Sequence, residues 1–381
     1  MNAPALVDVA DLAPEHIRRI APYQPGKPIS ELAREMGIAE ADIVKLASNE
    51  NPLGTSPKVK AAIEAAFAEL ARYPDGNQFD LKTALAKRYE WTTTGIVVGN
   101  GSNDVLEIAA LALLGPGTSA VFAQYCFAVY PLATQARGAT SIAVPARDFG
   151  HDLDAMFAAI RADTRMVFLA NPNNPTGTFL AYADIERFLA KVPRHVCVIL
   201  DEAYNEYLPQ DKRFDTTQWL RKYPNLVIVR TLAKIYGLAA LRVGFGLMDA
   251  RLADLFNRVR QPFNVNSLAL AGALAALDDR SFVAQSYAVN RAGMAQLEAG
   301  LRALGVAYIP SFANFVTVDS PRRGGQPQAG AVFQALLRKG VIVRPIAGYG
   351  MPDHLRVTIG LEAENAKFLA ALGAVLPDTT A

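Results

Sequence analysis

Met166-Val-Phe-Leu-Ala-Asn-Pro-Asn-Asn-Pro-Thr-Gly177 joins a short apolar run to a turn rich in asparagine and proline. The run Met166–Ala170 shows no alternation of apolar and polar residues, which predicts a strand covered on both faces. The two X-Pro steps and the final glycine of Asn171–Gly177 require a fixed, non-helical turn. Because ligands collect at the carboxyl ends of strands in open α/β sheets, we expect this turn, with the donor side chain of Asn174, to contact a ligand.

Short apolar runs of the same kind recur between residues 95 and 250. Helical patterns such as Val105–Leu114 and Ile185–Val192 separate most of them. The alternation predicts an α/β fold with a mostly parallel, seven-stranded sheet flanked by helices on both faces. The runs are Ile96–Val98, Ala120–Ala123, Ser141–Val144, Met166–Ala170, Val196–Leu200, Leu226–Val229 and Val243–Leu247.

The length of 381 residues predicts more than one domain, because single cores usually stop growing below that size. Ala21–Pro28 contains three prolines, which favour an extended arm. Phe282–Leu304 has the pattern of a long helix that leads into a second domain. We predict an N-terminal arm and the start of a small domain at 1–40, a large domain at 41–280, and a small α+β C-terminal domain at 281–381.

Composition limits the function classes. Hydrophobic residues make up 51% of the chain, which excludes global disorder, and 38 basic against 36 acidic residues leave a formal charge of +2. A chain with so little net charge has no strong positive electrostatic field to attract nucleic acid or an anionic membrane, so neither is expected as a partner. No apolar run approaches the roughly 20 residues of a membrane span. The four histidines lack ligand spacing, so no metal site is expected.

The chain is expected to be cytoplasmic. Met1–Leu6 has no basic start followed by an apolar core, so no signal peptide is predicted. Two cysteines argue against a disulfide scaffold and fit a reducing compartment. Cys197 lies inside an apolar run and is interpreted as a small buried hydrophobe, whereas the role of Cys126 stays open.

Lys234 is the first candidate for chemistry. It lies in Val229-Arg-Thr-Leu-Ala-Lys-Ile-Tyr-Gly-Leu238, just after a predicted strand, where a lysine can form an imine. Position alone also fits a solvated surface lysine. With Thr231 and Arg242, however, it would offer a hydroxyl, an amine and a guanidinium to one phosphorylated ligand.

Asp201 and Tyr204 follow the predicted strand Val196–Leu200 and would point into the same crevice. A carboxylate at the nitrogen of a pyridinium cofactor keeps the ring protonated and makes it an electron sink. The phenol of Tyr204 can lie near a ring hydroxyl. The alternative is a capping aspartate with a packed tyrosine.

Gly99-Asn-Gly-Ser-Asn-Asp104 follows another predicted strand and opens a helix. Its glycines let the backbone approach an anion, the helix start supplies free N–H groups, and Ser102 is the expected N-cap. The string matches neither the dinucleotide fingerprint nor the P-loop. Phe127 can stack on a planar ring or pack in the core.

Arg344 and Arg356 lie at predicted strand positions near the C-terminus, after Val341–Val343 and within Leu355–Ile359. Two such guanidinium groups suit a bidentate grip on a carboxylate or a phosphate. Either arginine alone is more often part of a surface ion pair.

Taken in order, the asparagine–proline turn, Asp201 with Tyr204, and Lys234 with an arginine eight residues later resemble the fold-type-I aminotransferases, which depend on pyridoxal 5′-phosphate. The resemblance covers nearly the whole chain. Three further strings are most similar to the histidinol-phosphate aminotransferases within that superfamily: Pro22-Tyr23-Gln24, Leu46-Ala-Ser-Asn-Glu-Asn-Pro-Leu-Gly54 and Arg72-Tyr-Pro-Asp75.

The resemblance implies roles around the cofactor ring. Lys234 holds the cofactor as a Schiff base and later shuttles a proton between the substrate carbon and the cofactor. Asp201 pairs with the pyridine nitrogen, and Asn174 and Tyr204 contact the phenolic oxygen. Phe127 stacks on the ring, where relatives often carry tyrosine.

It also implies how the phosphate is held. Backbone groups of Ser102 and Asn103, with Thr231 and Arg242, bind the phosphate of this subunit's cofactor. Tyr73 reaches the phosphate from a neighbouring subunit, so the resemblance implies a homodimer with shared sites.

The implied reaction is a ping-pong transamination through pyridoxal and pyridoxamine phosphate. Histidinol phosphate and 2-oxoglutarate would give imidazole acetol phosphate and glutamate, in histidine biosynthesis. Arg344 and Arg356 bind the anionic end of the substrate, and Tyr23 helps to close the pocket. An aromatic or broad-range aminotransferase, a phosphoamino-acid decarboxylase and a non-catalytic binding module of the same fold are the alternatives.

One residue departs from the family pattern. Relatives usually carry serine directly before the lysine, whereas this chain has Ala233. One hydroxyl contact to the cofactor phosphate is therefore missing, and we expect weaker cofactor retention than in relatives with serine.

Overall fold

A computed structural model describes residues 8–323 and 325–380 of the chain. Met1–Leu6, where the sequence predicts no signal peptide, lies outside the described residues. The strands are β1 Val44–Lys45, β2 Ile96–Gly99, β3 Ser119–Ala123, β4 Thr140–Val144, β5 Thr164–Ala170, β6 Cys197–Asp201, β7 Leu226–Thr231, β8 Gly244–Met248, β9 Tyr308–Ile309, β10 Phe315–Asp319, β11 Arg322–Arg323, β12 Gln326–Pro327, β13 Val341–Ile342, β14 Arg344–Pro345 and β15 His354–Thr358.

Helices connect these strands. The α-helices are α1 Glu15–Arg18, α2 Ile29–Met36, α3 Pro57–Ala66, α4 Phe79–Arg88, α5 Ser102–Leu113, α6 Val129–Ala136, α7 Leu153–Ala158, α8 Tyr182–Lys191, α9 Ala250–Val259, α10 Ser267–Asp278, α11 Arg280–Ala303, α12 Ala329–Arg338 and α13 Glu362–Thr380. None of the helices in the described ranges is long and apolar enough to cross a membrane.

The central sheet has seven strands in the order β2-β8-β7-β6-β5-β3-β4. Only β8 runs against the others, because both of its pairings, with β2 and with β7, are antiparallel. One apolar cluster covers each face, and apolar residues fill the central strands without alternation. The predicted fold class is therefore confirmed, and the seven predicted runs correspond to the seven strands.

The start of α5 corrects one prediction. Ser102 is the first residue of the helix rather than its N-cap, and Gly101 occupies the capping position with a φ of 86°. A positive φ suits glycine, which has no side chain to clash. The backbone N–H of Ser102 therefore lies in the first turn, where amides have no partner within the helix.

A second sheet, in the order β14-β15-β10-β9, is antiparallel and packs with α11, α12 and α13 around its own apolar cluster. The long helix predicted at Phe282–Leu304 is α11. The short strand β1 pairs in parallel with β13, so the segment that precedes α3 also joins this part of the molecule. The predicted domain boundaries stay a prediction. Both cysteines are buried, which agrees with the interpretation of Cys197.

Candidate active site

A cleft opens at the carboxyl edge of the seven-stranded sheet, and strands β14 and β15 of the second sheet also contribute side chains to it. Twelve of the thirteen side chains predicted for the site line it: Tyr23, Ser102, Asn103, Phe127, Asn174, Asp201, Tyr204, Thr231, Lys234, Arg242, Arg344 and Arg356. They come from segments more than 300 residues apart in the chain. The thirteenth, Tyr73, lies elsewhere.

Lys234 follows β7 by three residues and keeps part of its surface open to the cleft. Its Nζ lies 3.5 Å from the carbonyl oxygen of Ser48 and 5.9 Å from the ring centre of Tyr204. The surrounding protein removes water from the amine, and the positive charge of Arg356 adds to this effect. Together they lower the pKa of Lys234 to about 8. A lysine with a lowered pKa is a better nucleophile near neutral pH.

Asp201 is the last residue of β6 and is buried. The hydroxyl of Tyr130 donates to its Oδ2 at 2.8 Å, and the N–H of Ala203 donates to its Oδ1 at 3.1 Å. Burial raises the pKa of Asp201 to about 6, against the opposing effect of the Tyr130 hydrogen bond. A cationic ring nitrogen beside this carboxyl would favour its ionised form, which is the pairing that a pyridinium cofactor requires.

Tyr130 was not predicted from the sequence. It is buried and stacks on Phe168 with ring centres 4.6 Å apart. Its ring also meets that of Phe127 edge to face at 5.8 Å, and Phe127 lines the cleft. Its position in α6, three residues after Phe127, is the signal that would have placed it near the site.

Tyr204 is buried, and burial raises its pKa to about 12. Its oxygen accepts a hydrogen bond of 2.8 Å from Nδ2 of Asn49, a second residue that sequence reasoning missed. Asn49 belongs to the string Leu46–Gly54, but that string alone gives no sign of which partner its asparagine would contact.

The start of α5 and two side chains form one end of the cleft. Ser102 and Asn103 supply the first turn of the helix, where free amides and the helix dipole favour an anion. Thr231 ends β7, and its Oγ1 accepts from the N–H of Ala233 at 3.1 Å. Arg242 adds an exposed guanidinium and has a φ of 55°. A non-glycine residue in this region is strained and is often found at functional sites.

Two glycines let these groups approach. A Cβ at Gly101 would lie 2.6 Å from Nη2 of Arg242, and a Cβ at Gly244 would lie 2.4 Å from the backbone nitrogen of Ser102. Neither distance is tolerable for carbon. The absence of both side chains therefore permits the close assembly of amide and guanidinium donors that a phosphate needs.

Arg356 lies on β15 and is buried. Its Nη1 donates to Oδ1 of Asn174 at 2.6 Å, which leaves the amide hydrogens of Asn174 available to a ligand, and its Nη2 donates to the carbonyl of Ala47 at 3.1 Å. Its Nε has no hydrogen-bond partner among the described residues. A buried guanidinium without a carboxylate partner is costly, so the cleft beside Arg356 favours an anionic ligand.

Arg344 is the cross-strand neighbour of Arg356 between β14 and β15. Its guanidinium lies 5.3 Å from the ring centre of Tyr23, and its Nη2 donates to the carbonyl of Gln24. The extended arm therefore contacts the site through this arginine. Facing residues of paired strands project on the same side of a sheet, which brings the two guanidinium groups to one wall.

Tyr73 does not line the cleft. It is 84% exposed and stacks on Phe263 with ring centres 4.9 Å apart. The structure of a single subunit thus leaves its predicted role open.

The cleft meets the needs of a phosphorylated pyridine aldehyde. It offers a primary amine, a carboxyl group, a phenol with an amide, and a separate set of anion donors.

The comparisons with known proteins agree with an aminotransferase that binds this cofactor. Residues 41–372 match the family model described as aminotransferase class I and II. A histidinol-phosphate aminotransferase from Methylobacillus flagellatus is 59% identical over 370 residues, 97% of this chain and 99% of the relative.

Two more similarities point the same way. Histidinol-phosphate aminotransferase 2 from Pseudomonas aeruginosa is 58% identical over 97% of this chain and 99% of the relative. The crystal structure of histidinol-phosphate aminotransferase from Sinorhizobium meliloti in complex with pyridoxal-5′-phosphate superposes with a TM-score of 0.87. It is 27% identical and covers 96% of this chain and 97% of its own.

The chain belongs to the class I and II aminotransferases and, within them, to the histidinol-phosphate aminotransferase family. It is a pyridoxal-phosphate-dependent aminotransferase.

Proposed function

We propose that the enzyme transfers an amino group reversibly between histidinol phosphate and 2-oxoglutarate, in two half-reactions that share one cleft. The names of relatives with 57–60% identity support this substrate. The observation that carries the proposal is the placement of Lys234 in a cleft with two neighbouring guanidinium groups, Arg344 and Arg356.

Bound pyridoxal phosphate supplies an electron sink for the carbanion that forms when the substrate loses a proton. In our proposal Asp201 keeps the ring nitrogen protonated, and its burial makes this pairing strong. Asn174 and Tyr204 donate to the ring oxygen, and Phe127 covers the ring. These four residues orient the cofactor.

Lys234 has two tasks in the proposed reaction. It would hold the cofactor covalently through Nζ. When that amine is free, its Nζ would accept the proton from the substrate carbon and return it during amino transfer. A pKa of about 8 for the free amine suits the second task, because a general base works best when its pKa lies near the working pH.

The phosphate would be held by the amides of Ser102 and Asn103 with the side chains of Thr231 and Arg242. Tyr73 would add its hydroxyl from a partner subunit. Exposed apolar side chains near Tyr73 support a homodimer: Phe67, Leu70, Phe79 and Phe263. If sites are shared, mixing subunits that carry Tyr73→Ala with subunits that carry Lys234→Ala yields hybrid dimers with one intact site. Absence of recovered activity in a proven hybrid would contradict shared sites.

Arg344 and Arg356 would bind the phosphate of histidinol phosphate and a carboxylate of 2-oxoglutarate in turn. A guanidinium offers several donors in one plane, so it can serve either oxyanion. Tyr23, which already lies over Arg344, would close the cleft from the arm at 1–40.

The test compares kcat/KM for histidinol phosphate, histidinol and phenylalanine, each with 2-oxoglutarate as acceptor. We expect histidinol phosphate to lead histidinol by at least about 100-fold, because histidinol leaves the arginines without an anion. Equal or better use of phenylalanine would identify a broad-range aminotransferase. Release of carbon dioxide from a phosphoamino acid without an acceptor would identify a decarboxylase.

A further inference from the structure

We propose that Asn49 is a positioning residue that determines the direction in which the Tyr204 hydroxyl donates its proton. The inference rests on the contact proposed above between Tyr204 and the ring oxygen of the cofactor. Asn49 is 1% exposed and has a φ of 56°, so its backbone is in the left-handed region that asparagine tolerates better than most residues.

The direction follows from the number of protons. Nδ2 of Asn49 donates to the hydroxyl oxygen of Tyr204 at 2.8 Å. A tyrosine hydroxyl carries one proton and accepts through its lone pairs. Because the oxygen accepts from Asn49, its own proton must point elsewhere. Tyr204 lines the cleft beside Lys234, so the cleft is the direction that remains.

Thr358 fixes which way the Asn49 amide faces. The backbone N–H of Asn49 donates to Oγ1 of Thr358 at 2.9 Å, and that hydroxyl donates back to Oδ1 of Asn49 at 3.3 Å. A reversed amide would direct both Nδ2 and the backbone N–H of Asn49 at Oγ1 and would take away the Oδ1 that accepts the Thr358 proton. The observed arrangement instead gives each donor its own acceptor. Nδ2 of Asn314 also holds the Asn49 carbonyl at 3.0 Å.

The hydrogen bonds thus form an ordered chain from Thr358 on β15 through Asn49 to Tyr204, which would continue to the ring oxygen of a bound cofactor. A hydrogen bond donated to that oxygen stabilises its negative charge. It therefore lowers the pKa of the lysine-bound cofactor. An aspartate in place of Asn49 would have nearly the same shape, but its ionised carboxylate can only accept. The Tyr204 proton would turn towards it and away from the cofactor.

The experiment loads wild type, Asn49→Asp, Tyr204→Phe and the double variant with pyridoxal phosphate. The visible absorbance is titrated with pH, and the cofactor dissociation constant is measured. We expect Asn49→Asp and Tyr204→Phe each to raise the titration midpoint by about one pH unit or more. In the Tyr204→Phe background, Asn49→Asp should raise it much less, because no hydroxyl remains to be turned. If Asn49→Asp raises the titration midpoint equally in wild type and in Tyr204→Phe, the new carboxylate acts through its charge alone, and the inference is overturned.

Two outcomes separate the inference from the proposed contact on which it rests. An unchanged midpoint in Tyr204→Phe means that Tyr204 does not contact the ring oxygen. A raised midpoint in Tyr204→Phe with an unchanged one in Asn49→Asp means that Asn49 does not direct the proton.

Asn225→Asp is the matched control, since the Asn225 amide donates to the Val196 carbonyl at the opposite edge of the sheet. Its midpoint should equal that of wild type. If Asn49→Asp does not fold, Thr358→Val serves instead, because it frees the amide to reverse while keeping the volume. We expect a smaller rise in the midpoint, and no rise would contradict the inference.

Discussion

The two sides of the cleft differ in how their groups are held. On the cofactor side, Asp201 and Thr231 are the last residues of buried strands, and both side chains are buried. On the substrate side, Tyr23 lies in an extended arm and is 53% exposed, and Arg344 donates to that arm. Asp201 and Thr231, which would act on one permanent cofactor, are fixed by the sheet, whereas Tyr23, which would admit two substrates, lies on a segment with fewer contacts. Arg356, buried on β15, is the exception on the substrate side.

Fixing the cofactor side has a cost in the absence of the cofactor. Burial raises the pKa of Asp201 to about 6 and lowers the pKa of Lys234 to about 8, so the protein environment disfavours both charges. Functional groups held in this way reduce stability until a ligand compensates them.

Lys234→Ala should reduce amino transfer by at least about 10⁴-fold, because it removes both the covalent link and the base. Cofactor-loaded wild type, reduced with borohydride and digested, should carry the cofactor on the peptide with Lys234 by mass spectrometry. Lys222→Ala is the control, since Lys222 forms an exposed ion pair with Glu186. Label on another lysine would contradict the assignment.

Asp201 should make the cofactor-free protein less stable as the pH rises. Its ordinary pKa of 3.8 is raised to about 6 in the folded state, so folding favours the protonated form. The stability that it contributes is complete below pH 3.8 and is lost as the pH rises through 6. Between pH 4 and 7, wild type should lose roughly 2 kcal/mol more than Asp201→Asn in urea unfolding. If the free energies of unfolding of wild type and Asp201→Asn change with pH in parallel, the Asp201 carboxyl is not desolvated.

Arg356→Ala should raise KM for histidinol phosphate and for 2-oxoglutarate by about 100-fold each, because a buried charged donor is lost. The affinity for pyridoxal phosphate should fall less than the affinity for either substrate, because Arg356 acts on the cofactor side only indirectly, through Asn174 and Lys234. Arg344→Ala should act in the same direction but less, since Arg344 is less buried. If KM for both substrates is unchanged in Arg356→Ala, Arg356 does not belong to the proposed anion site.

Ala233→Ser should tighten pyridoxal phosphate binding by about 10- to 100-fold, the value of one hydrogen bond to a charged group. Ala233 lines the cleft next to Lys234, so a hydroxyl there can reach the phosphate end. Ala239→Ser, in the following turn, is the control. An unchanged dissociation constant would mean that the missing serine does not limit cofactor retention.

The sequence predicts the cofactor side better than the network behind it. Asp201, Thr231 and Lys234 could be placed because each lies at or just after an apolar run, and the carboxyl ends of parallel strands meet at one edge. Asn49 and Tyr130 could not, since they act through partners 155 and 71 residues away. Such pairs depend on how separate elements pack, which no local pattern encodes.

The helix start shows a second limit. Ser102 has the chemistry of an N-cap, but Gly101 takes that position because the chain must turn with a positive φ where Arg242 packs against it. N-cap propensity favours the serine, but the close approach of Arg242 requires glycine at the capping position. Tyr73 shows a third limit, because its proposed role needs a second subunit.

The most direct test of the account is an absorbance scan of the protein loaded with pyridoxal phosphate, before and after histidinol phosphate is added. We expect the band of the lysine-bound cofactor to disappear with histidinol phosphate and to return when 2-oxoglutarate follows. If only aromatic amino acids convert the band, the role of Lys234 is supported, but histidinol phosphate is not the substrate. If no lysine-bound band forms at all, the account of the cleft is wrong.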